Sequence, residues 1–258
     1  MSRVAVVSGA ARGIGAATVA ALARDGWSVV AVDACADDRS IGYPLASRSD
    51  LDALAALGNV TTLVADVRDV AALADAVDAA VSTYGGLDAA IAAAGVIAGG
   101  APHWETDVSA EQVVVDVDLV GVMHLARVSV PAMLQRPQPR HGRFLAVASS
   151  AATQGLPSLA AYCAAKAGVA GFIRGLAADL RGTGITANAV APGSTETAML
   201  AATASMYDLA SVEAFAQQQL IERLIEPAEI AGAIAWLAGA DTDAVTGAML
   251  AVDGGLSL

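Results

Sequence analysis

VAVVSGAARGIG, from Val4 to Gly15, decides the fold. Val4 to Val7 is an unbroken apolar run of strand length, and Ile14 to Arg24 repeats its apolar residues at helical spacing. Gly9, Gly13 and Gly15 therefore fall in and at the end of a tight turn from strand to helix. Glycine there admits backbone conformations closed to other residues and lets a ligand come close to the main chain. The helix behind the turn offers free N–H groups and a favourable dipole to an anion.

Outward from this unit the same alternation continues. Further strands are expected at Ser28 to Val32, Val60 to Ala65, Asp88 to Ala93, Arg143 to Ala148, Ile185 to Val190 and Ala248 to Val252. Helical spacing recurs over Leu51 to Leu57, Val70 to Thr83, Ala110 to Leu134, Ala160 to Leu180 and Ala228 to Ala238. The pattern predicts an α/β domain with a doubly wound parallel sheet of about seven strands. Because the strands read as nearly continuous apolar runs, helices are expected over both faces, with ligand outside the carboxyl ends of the strands. No repeat or linker divides residues 1–258, so one domain is expected. Two stretches break the rhythm. ACADDRSIGYPLASRSD holds a polar insert, residues 35–50, too long for an ordinary connection. Residues 193–220 are irregular before turning helical and sit directly after a strand, as a mobile lid would.

Composition removes several function classes. Fourteen Lys plus Arg against 26 Asp plus Glu give a net charge of −12, which repels nucleic-acid phosphates and anionic lipid. At 56% hydrophobic and 16% charged residues, the chain is not intrinsically disordered. The uncharged run from Ala89 to Pro102 is shorter than the roughly 18 residues of a membrane span and is broken by Gly95, Gly99 and Gly100. The opening residues lack the pattern of a secretory signal, and Cys35 and Cys163 are too few for a disulfide framework; a cytoplasmic protein is expected. His103, His124 and His141 have no metal-ligand spacing, and no metal is expected.

The chemistry concentrates at strand ends. Gly9, Arg12, Gly13, Ile14 and Gly15 form a turn suited to a pyrophosphate. Asp33, closing the second strand, stands where a carboxylate accepts hydrogen bonds from an adenosine ribose. Its charge would repel a 2′-phosphate, favouring NAD over NADP, although Arg12 in the neighbouring turn argues the other way. Asp66 and Val67 after the third strand are placed for the adenine, and Ala93, Ala94 and Gly95 after the fourth for close passage of the cofactor. Tyr162 and Lys166, four apart on a predicted helix, share one face. An ammonium beside a phenol favours phenolate, which predicts a lowered Tyr162 pKa and an acid or base usable near neutrality. Ser149, closing the fifth strand, would address the same substrate oxygen, with Ser150 as the competing choice. Trp104, Met199, Met206, Tyr207 and Phe215 are candidates for an apolar pocket, with core or lid packing as the alternative.

Together these residues resemble the short-chain dehydrogenase/reductase family over essentially the whole chain. SGAARGIG corresponds to its TGxxxGIG turn, GRFLAVASS to its serine strand, YCAAK to YxxxK, Asn188-Ala-Val-Ala-Pro-Gly to NxxxPG, and TGAMLAVDGG to its last strand. The resemblance implies a Rossmann-type fold and an NAD-dependent oxidoreductase moving hydride between a secondary alcohol or ketone and the cofactor. In that scheme Ser149 positions the substrate oxygen and Tyr162 transfers its proton. Lys166 binds the nicotinamide ribose and lowers the tyrosine pKa, Tyr162 also touches the cofactor, and Pro192, Gly193, Thr195 and Thr197 hold the nicotinamide end. Two positions depart from the family pattern. Ala92-Ala93-Ala94-Gly95 replaces NNAG, and Asp118 replaces the Asn that holds a relay water near Lys166. Asp118 also leaves open a non-catalytic, NAD-binding scaffold on the same fold. The insert, with YPLAS and SDLDAL, is similar to that of dehydrogenases coupled to the redox peptide mycofactocin. That implies NAD held without ready exchange and re-oxidised by an external carrier. The long apolar helices at 110–134 and 160–180, paired in related enzymes, imply a homotetramer.

Overall fold

A computed structural model describes residues 2–258. Seven parallel strands lie in the order β3-β2-β1-β4-β5-β6-β7: β1 Val4–Ser8, β2 Ser28–Asp33, β3 Val60–Val64, β4 Ala89–Ala92, β5 Gly142–Val147, β6 Ile185–Pro192 and β7 Met249–Val252. The chain winds outward from β1 through β2 to β3, then restarts beside β1 with β4. That reversal opens a crevice at the carboxyl ends of β1 and β4.

Eight α-helices alternate with the strands: α1 Gly13–Arg24, α2 Arg48–Ala53, α3 Val70–Tyr84, α4 Val108–Val115, α5 Gly121–Leu134, α6 Ala160–Asp179, α7 Ala198–Met206 and α8 Pro227–Ala238. The period-two geometry of strands divides the core into two layers. Val4, Val6, Val30 and Val32 face Leu73 of α3, Leu125 of α5 and Val169 of α6. Ala5, Val7, Val29 and Ala31 face Leu22 of α1, Leu51 of α2 and Ile234 of α8. Burying each such Val, Leu or Ile contributes about 1.5–3 kcal/mol, so the central strands are held from both sides.

The outer strands depart from the expected double cover. β3 and β7 are largely half-exposed because each has a neighbour on one edge only. The helix expected over 110–134 begins at Val108 and is interrupted by a π-turn, Asp116–Val120. The region expected as helix over 51–57 is α2 followed by a 3-10 turn at Leu54–Leu57. α2 starts inside the insert, where Ser47 and Asp50 cap one another's backbone N–H groups.

The insert is a folded strap. Ile41 is buried in the core, and the Ile97 N–H donates to Tyr43 Oη at 3.2 Å. Arg12 Nη1 donates to the Pro44 carbonyl at 2.8 Å, Asp38 pairs with Arg68 at 2.8 Å, and Ser40 meets Ser109 of α4. These contacts tie the strap to the exits of β1, β3 and β4, the edge where the crevice opens. The lid region is also ordered into α7 and a 3-10 segment, Val212–Gln218.

Candidate active site

One cavity of about 860 Å³ runs along the carboxyl edge of the sheet, from Asp33 and Asp66 past the glycine turn to Tyr162, Met199 and Leu256. Its floor near β1 is main chain. Gly9 and Gly13 have φ of 66° and 54°, and a Cβ at Gly9 would collide with the backbone of Ala93 and Ala94. A Cβ at Gly15 would strike the Gly9 carbonyl. Across the cavity from Gly13 stands Thr197, whose hydroxyl caps α7 at Leu200 N. Ile14, Pro192, Gly193 and Thr195 line the same passage, and the Thr195 hydroxyl donates to the Gly193 carbonyl at 3.1 Å.

The Asp33 carboxylate is oriented by two main-chain donors, Ala11 N and Cys35 N, each at 3.1 Å. It therefore faces the cavity beside the glycine turn, as a ribose-binding carboxylate must. Asp66 also lines the cavity, with a partner that its sequence position did not suggest. Arg68 reaches both of its oxygens and also Asp38, so any group that Asp66 accepts from would meet it together with the Arg68 guanidinium. Hydrogen bonds from Arg68 hold the Asp66 carboxyl below its ordinary range against the opposing effect of burial, which is the larger single influence. Val67 lines the cavity, and its carbonyl lies 3.0 Å from His124 Nδ1. Ala93 and Gly95 line it as well.

At the other end Tyr162 and Lys166 share the buried face of α6, the ammonium 5.6 Å from the phenol ring centre. Lys166 Nζ donates to the Val147 carbonyl at 3.0 Å and pairs with Asp118 Oδ2 at 3.1 Å. Asp118 is fully buried, and its Oδ1 accepts from Val96 N at 2.8 Å. The π-turn aims it there: the carboxylate joins α6 directly, as an ion pair, rather than across a water-sized gap. Asp118, Tyr43 and Tyr207 are titratable groups brought to this end from outside α6.

The tyrosine corrects one expectation. Burial pushes the Tyr162 phenol above its ordinary value, Asp118 and Cys163 push the same way, and the pull from Lys166 and the Ser149 hydroxyl only partly offsets them. Burial also raises the Asp118 carboxyl despite Lys166. Lys166 stays protonated because Asp118 and the phenol outweigh its own burial. Ser149 leaves the end of β5 extended and caps the following turn at Ala151 N, 3.1 Å away, bringing its hydroxyl to the tyrosine. Ser150 is buried beside it and also lines the cavity.

Met199, Tyr207 and Phe215 line the pocket as the sequence suggested; Trp104 is 82% exposed and Met206 packs on the core, so those two do not. Sequence reasoning missed Arg68, Asp38 and Leu256, all of which line the cavity. A lone arginine two residues past a strand-end aspartate was the available signal for the first. The three histidines lie apart, and among the described residues no group of His, Cys, Asp and Glu has metal-binding geometry. No helix among them is long and apolar enough to cross a membrane.

Residues 9–257 match the family model described as enoyl-(acyl carrier protein) reductase. A cis-4-hydroxycyclohexanecarboxylate dehydrogenase of Sinomonas cyclohexanicum is 41% identical, with 98% of this chain and 96% of that protein aligned. A (−)-trans-carveol dehydrogenase of Rhodococcus erythropolis is 33% identical over 99% of this chain and 98% of that one. The crystal structure of a carveol dehydrogenase from Mycobacterium avium in complex with NAD superposes with a TM-score of 0.90 at 30% identity, covering 98% and 97% of the two chains. The chain belongs to the short-chain dehydrogenase/reductase family. As a short-chain dehydrogenase/reductase it is an oxidoreductase using a nicotinamide dinucleotide, and its seven-stranded sheet is the Rossmann-type sheet of that family.

Proposed function

We propose that this enzyme interconverts a secondary alcohol and its ketone with NAD, Tyr162 acting as the general acid or base. One observation carries the reading: Ser149, Tyr162 and Lys166 meet in the same cavity as the glycine turn and Asp33. The glycine floor and the oriented Asp33 fit a dinucleotide, and Gly9, Arg12, Gly13, Ile14, Gly15, Asp33, Asp66, Val67, Ala93, Gly95, Pro192, Gly193, Thr195 and Thr197 would hold it. NAD supplies the hydride acceptor or donor. Ser149 orients the substrate oxygen toward the phenol, and Tyr162 takes or gives the proton at that oxygen. Lys166 keeps a positive charge beside the phenol and is itself fixed by Asp118 and the Val147 carbonyl. The relatives named for carveol and for hydroxycyclohexanecarboxylate support a secondary alcohol as substrate class. The test is a single turnover: the NAD-loaded enzyme mixed with a panel of secondary alcohols should show NADH absorbance, and no reduction by any of them would defeat the reading.

Cofactor selectivity rests on Asp33. Its carboxylate would face the extra phosphate of NADP in a partly desolvated place, which costs affinity. Calorimetry on cofactor-stripped protein should give NAD the tighter binding by at least about tenfold, roughly 1.4 kcal/mol, and Asp33→Ala should narrow that gap. Equal affinities in the parent protein would hand the decision to Arg12.

The strap adds a finer proposal. Because residues 35–50 span the exits of β1, β3 and β4, release of NAD requires breaking the Tyr43, Pro44 and Asp38 contacts together. Slow release appears in the off-rate. A cofactor held by these contacts would stay bound between turnovers, and an external carrier such as mycofactocin would take the two electrons from its reduced form, NADH. Denaturing the purified protein should release NAD into the supernatant, and replacing 36–48 by a short turn should make that NAD exchangeable. Protein that arrives empty would contradict retention.

Two separate apolar surfaces support a homotetramer: Val108 and Met123 on α4 and α5 are exposed on one side of the sheet, and Trp236 is exposed on α8, which packs beside α1 on the other, while the edge strand β7 is half-exposed. Two self-complementary faces generate a dimer of dimers. Sedimentation at micromolar concentration should show four chains; a monomer would refute it.

A further inference from the structure

We infer that the substrate half of the cavity selects uncharged, apolar alcohols and rejects carboxylates, an inference that rests on the dehydrogenase reading above. Three stretches wall that half: the β4 exit at 95–100, the loop after β5 at 150–159, and the lid at 194–220. None of the three contains a Lys, Arg or His, whereas the lid carries Glu196, Asp208 and Glu213.

The cations of the cavity are Arg12, Arg68 and Lys166. Arg12 and Arg68 stand at the exits of β1 and β3, beside Asp33 and Asp66, and Arg68 is engaged by Asp66 and Asp38. Lys166 is buried and paired with Asp118 at 3.1 Å. No positive charge is left to meet an anionic group beyond the reacting carbon.

The Tyr207 and Thr203 hydroxyls of the lid are also committed, which leaves the neutral Gln218 amide as a lid donor facing the cavity. Tyr207 Oη donates to the Pro157 carbonyl at 2.7 Å, and the Thr203 hydroxyl donates to the Met199 carbonyl at 2.8 Å. The Tyr207 bond closes the lid onto the loop after β5, and the Tyr207 and Phe215 rings stack in a tilted pair 6.4 Å apart. What remains for a substrate to touch is mainly Val96, Leu156, Met199, Phe215 and Leu256, with the neutral Gln218 amide among them. An alcohol oxygen finds Ser149 and Tyr162, but a carboxylate on the far side would leave water for a largely apolar wall without a cation, where a neutral amide or hydroxyl only partly replaces its hydration.

A matched pair of probes tests this: 4-hydroxycyclohexanecarboxylate and its methyl ester, each as cis and trans isomers, offered to the NAD-loaded enzyme at a pH where the acid is ionised. Initial rates with an artificial electron acceptor should favour the ester by about 100-fold in kcat/KM, and calorimetry should show the same preference in binding. Leu156→Arg, which places a cation on the wall, should shrink the ratio by raising affinity for the acid. If the acid binds and reacts as well as the ester, the inference is overturned while the dehydrogenase reading stands. If neither reacts but the ester binds preferentially, the pocket assignment holds and the dehydrogenase reading falls. Absence of binding by both would overturn the inference outright.

Discussion

Tyr162→Phe is expected to lower kcat for alcohol oxidation by about 10³-fold, the range removed when a positioned general acid or base is lost. NAD content and folding should be unchanged. The reason is local. The phenol ring is buried against α6 neighbours and the cavity, and phenylalanine keeps that packing while deleting the oxygen that Ser149 and Lys166 act on. Cofactor contacts assigned to the glycine turn and Asp33 lie at the other end of the cavity and are untouched. Stopped-flow reduction of bound NAD measures the chemical step directly. A variant that reduces its NAD at the parental rate would eliminate Tyr162 as the proton-transfer residue.

Asp118→Asn should displace the pH profile without emptying the site. In the parent, burial, Asp118 and Cys163 raise the phenol pKa, and Lys166 with the Ser149 hydroxyl opposes them. Oxidation needs the phenolate, so its rate rises as pH climbs through the tyrosine pKa; reduction needs the phenol, so its rate falls over the same interval. Removing the Asp118 charge removes one influence holding that pKa up, and both limbs should move to lower pH. Asn keeps the size and can still accept from Val96 N, which is why the fold should survive. Asp118→Ala is a different case, because beyond the charge it removes every polar atom of that side chain beside the buried ammonium, the acceptor of Val96 N and the side-chain volume. Losses of about 3–5 kcal/mol are usual for such a break, and chemical denaturation would register it. Limbs that stay in place in Asp118→Asn would show that Asp118 serves only to position Lys166.

Much of the fold was readable because valine and alanine runs bury both faces of the inner strands, leaving continuous apolar segments between helices. The edges were not readable as edges: β3, with Thr61 and Thr62, is half-exposed because nothing pairs beyond it. At the site, Ser149, Tyr162 and Lys166 converge as spacing and resemblance implied. The direction of the tyrosine's pKa did not follow from spacing, since the lysine is near in sequence while the burial and Asp118 act through space. The strap's conformation was equally hidden. It depends on Tyr43 meeting Ile97, a contact across the fold that no local pattern encodes.

The π-turn at Asp116–Val120 carries one fixed contact and leads straight into another: Asp118 within it is bound to Lys166, and Gly121 just after it sits so close to the Val67 side chain that a Cβ there would collide with it. A regular helix advances about 100° per residue. Deleting one residue from this stretch would let the helix close regularly but swing one contact away from its partner, either the carboxylate from α6 or the glycine from the β3 exit. Chain length here is therefore more constrained than residue identity. Conservative replacements at Val117 or Leu119 should be absorbed, whereas shortening the segment by one would disable the enzyme even with every catalytic side chain retained.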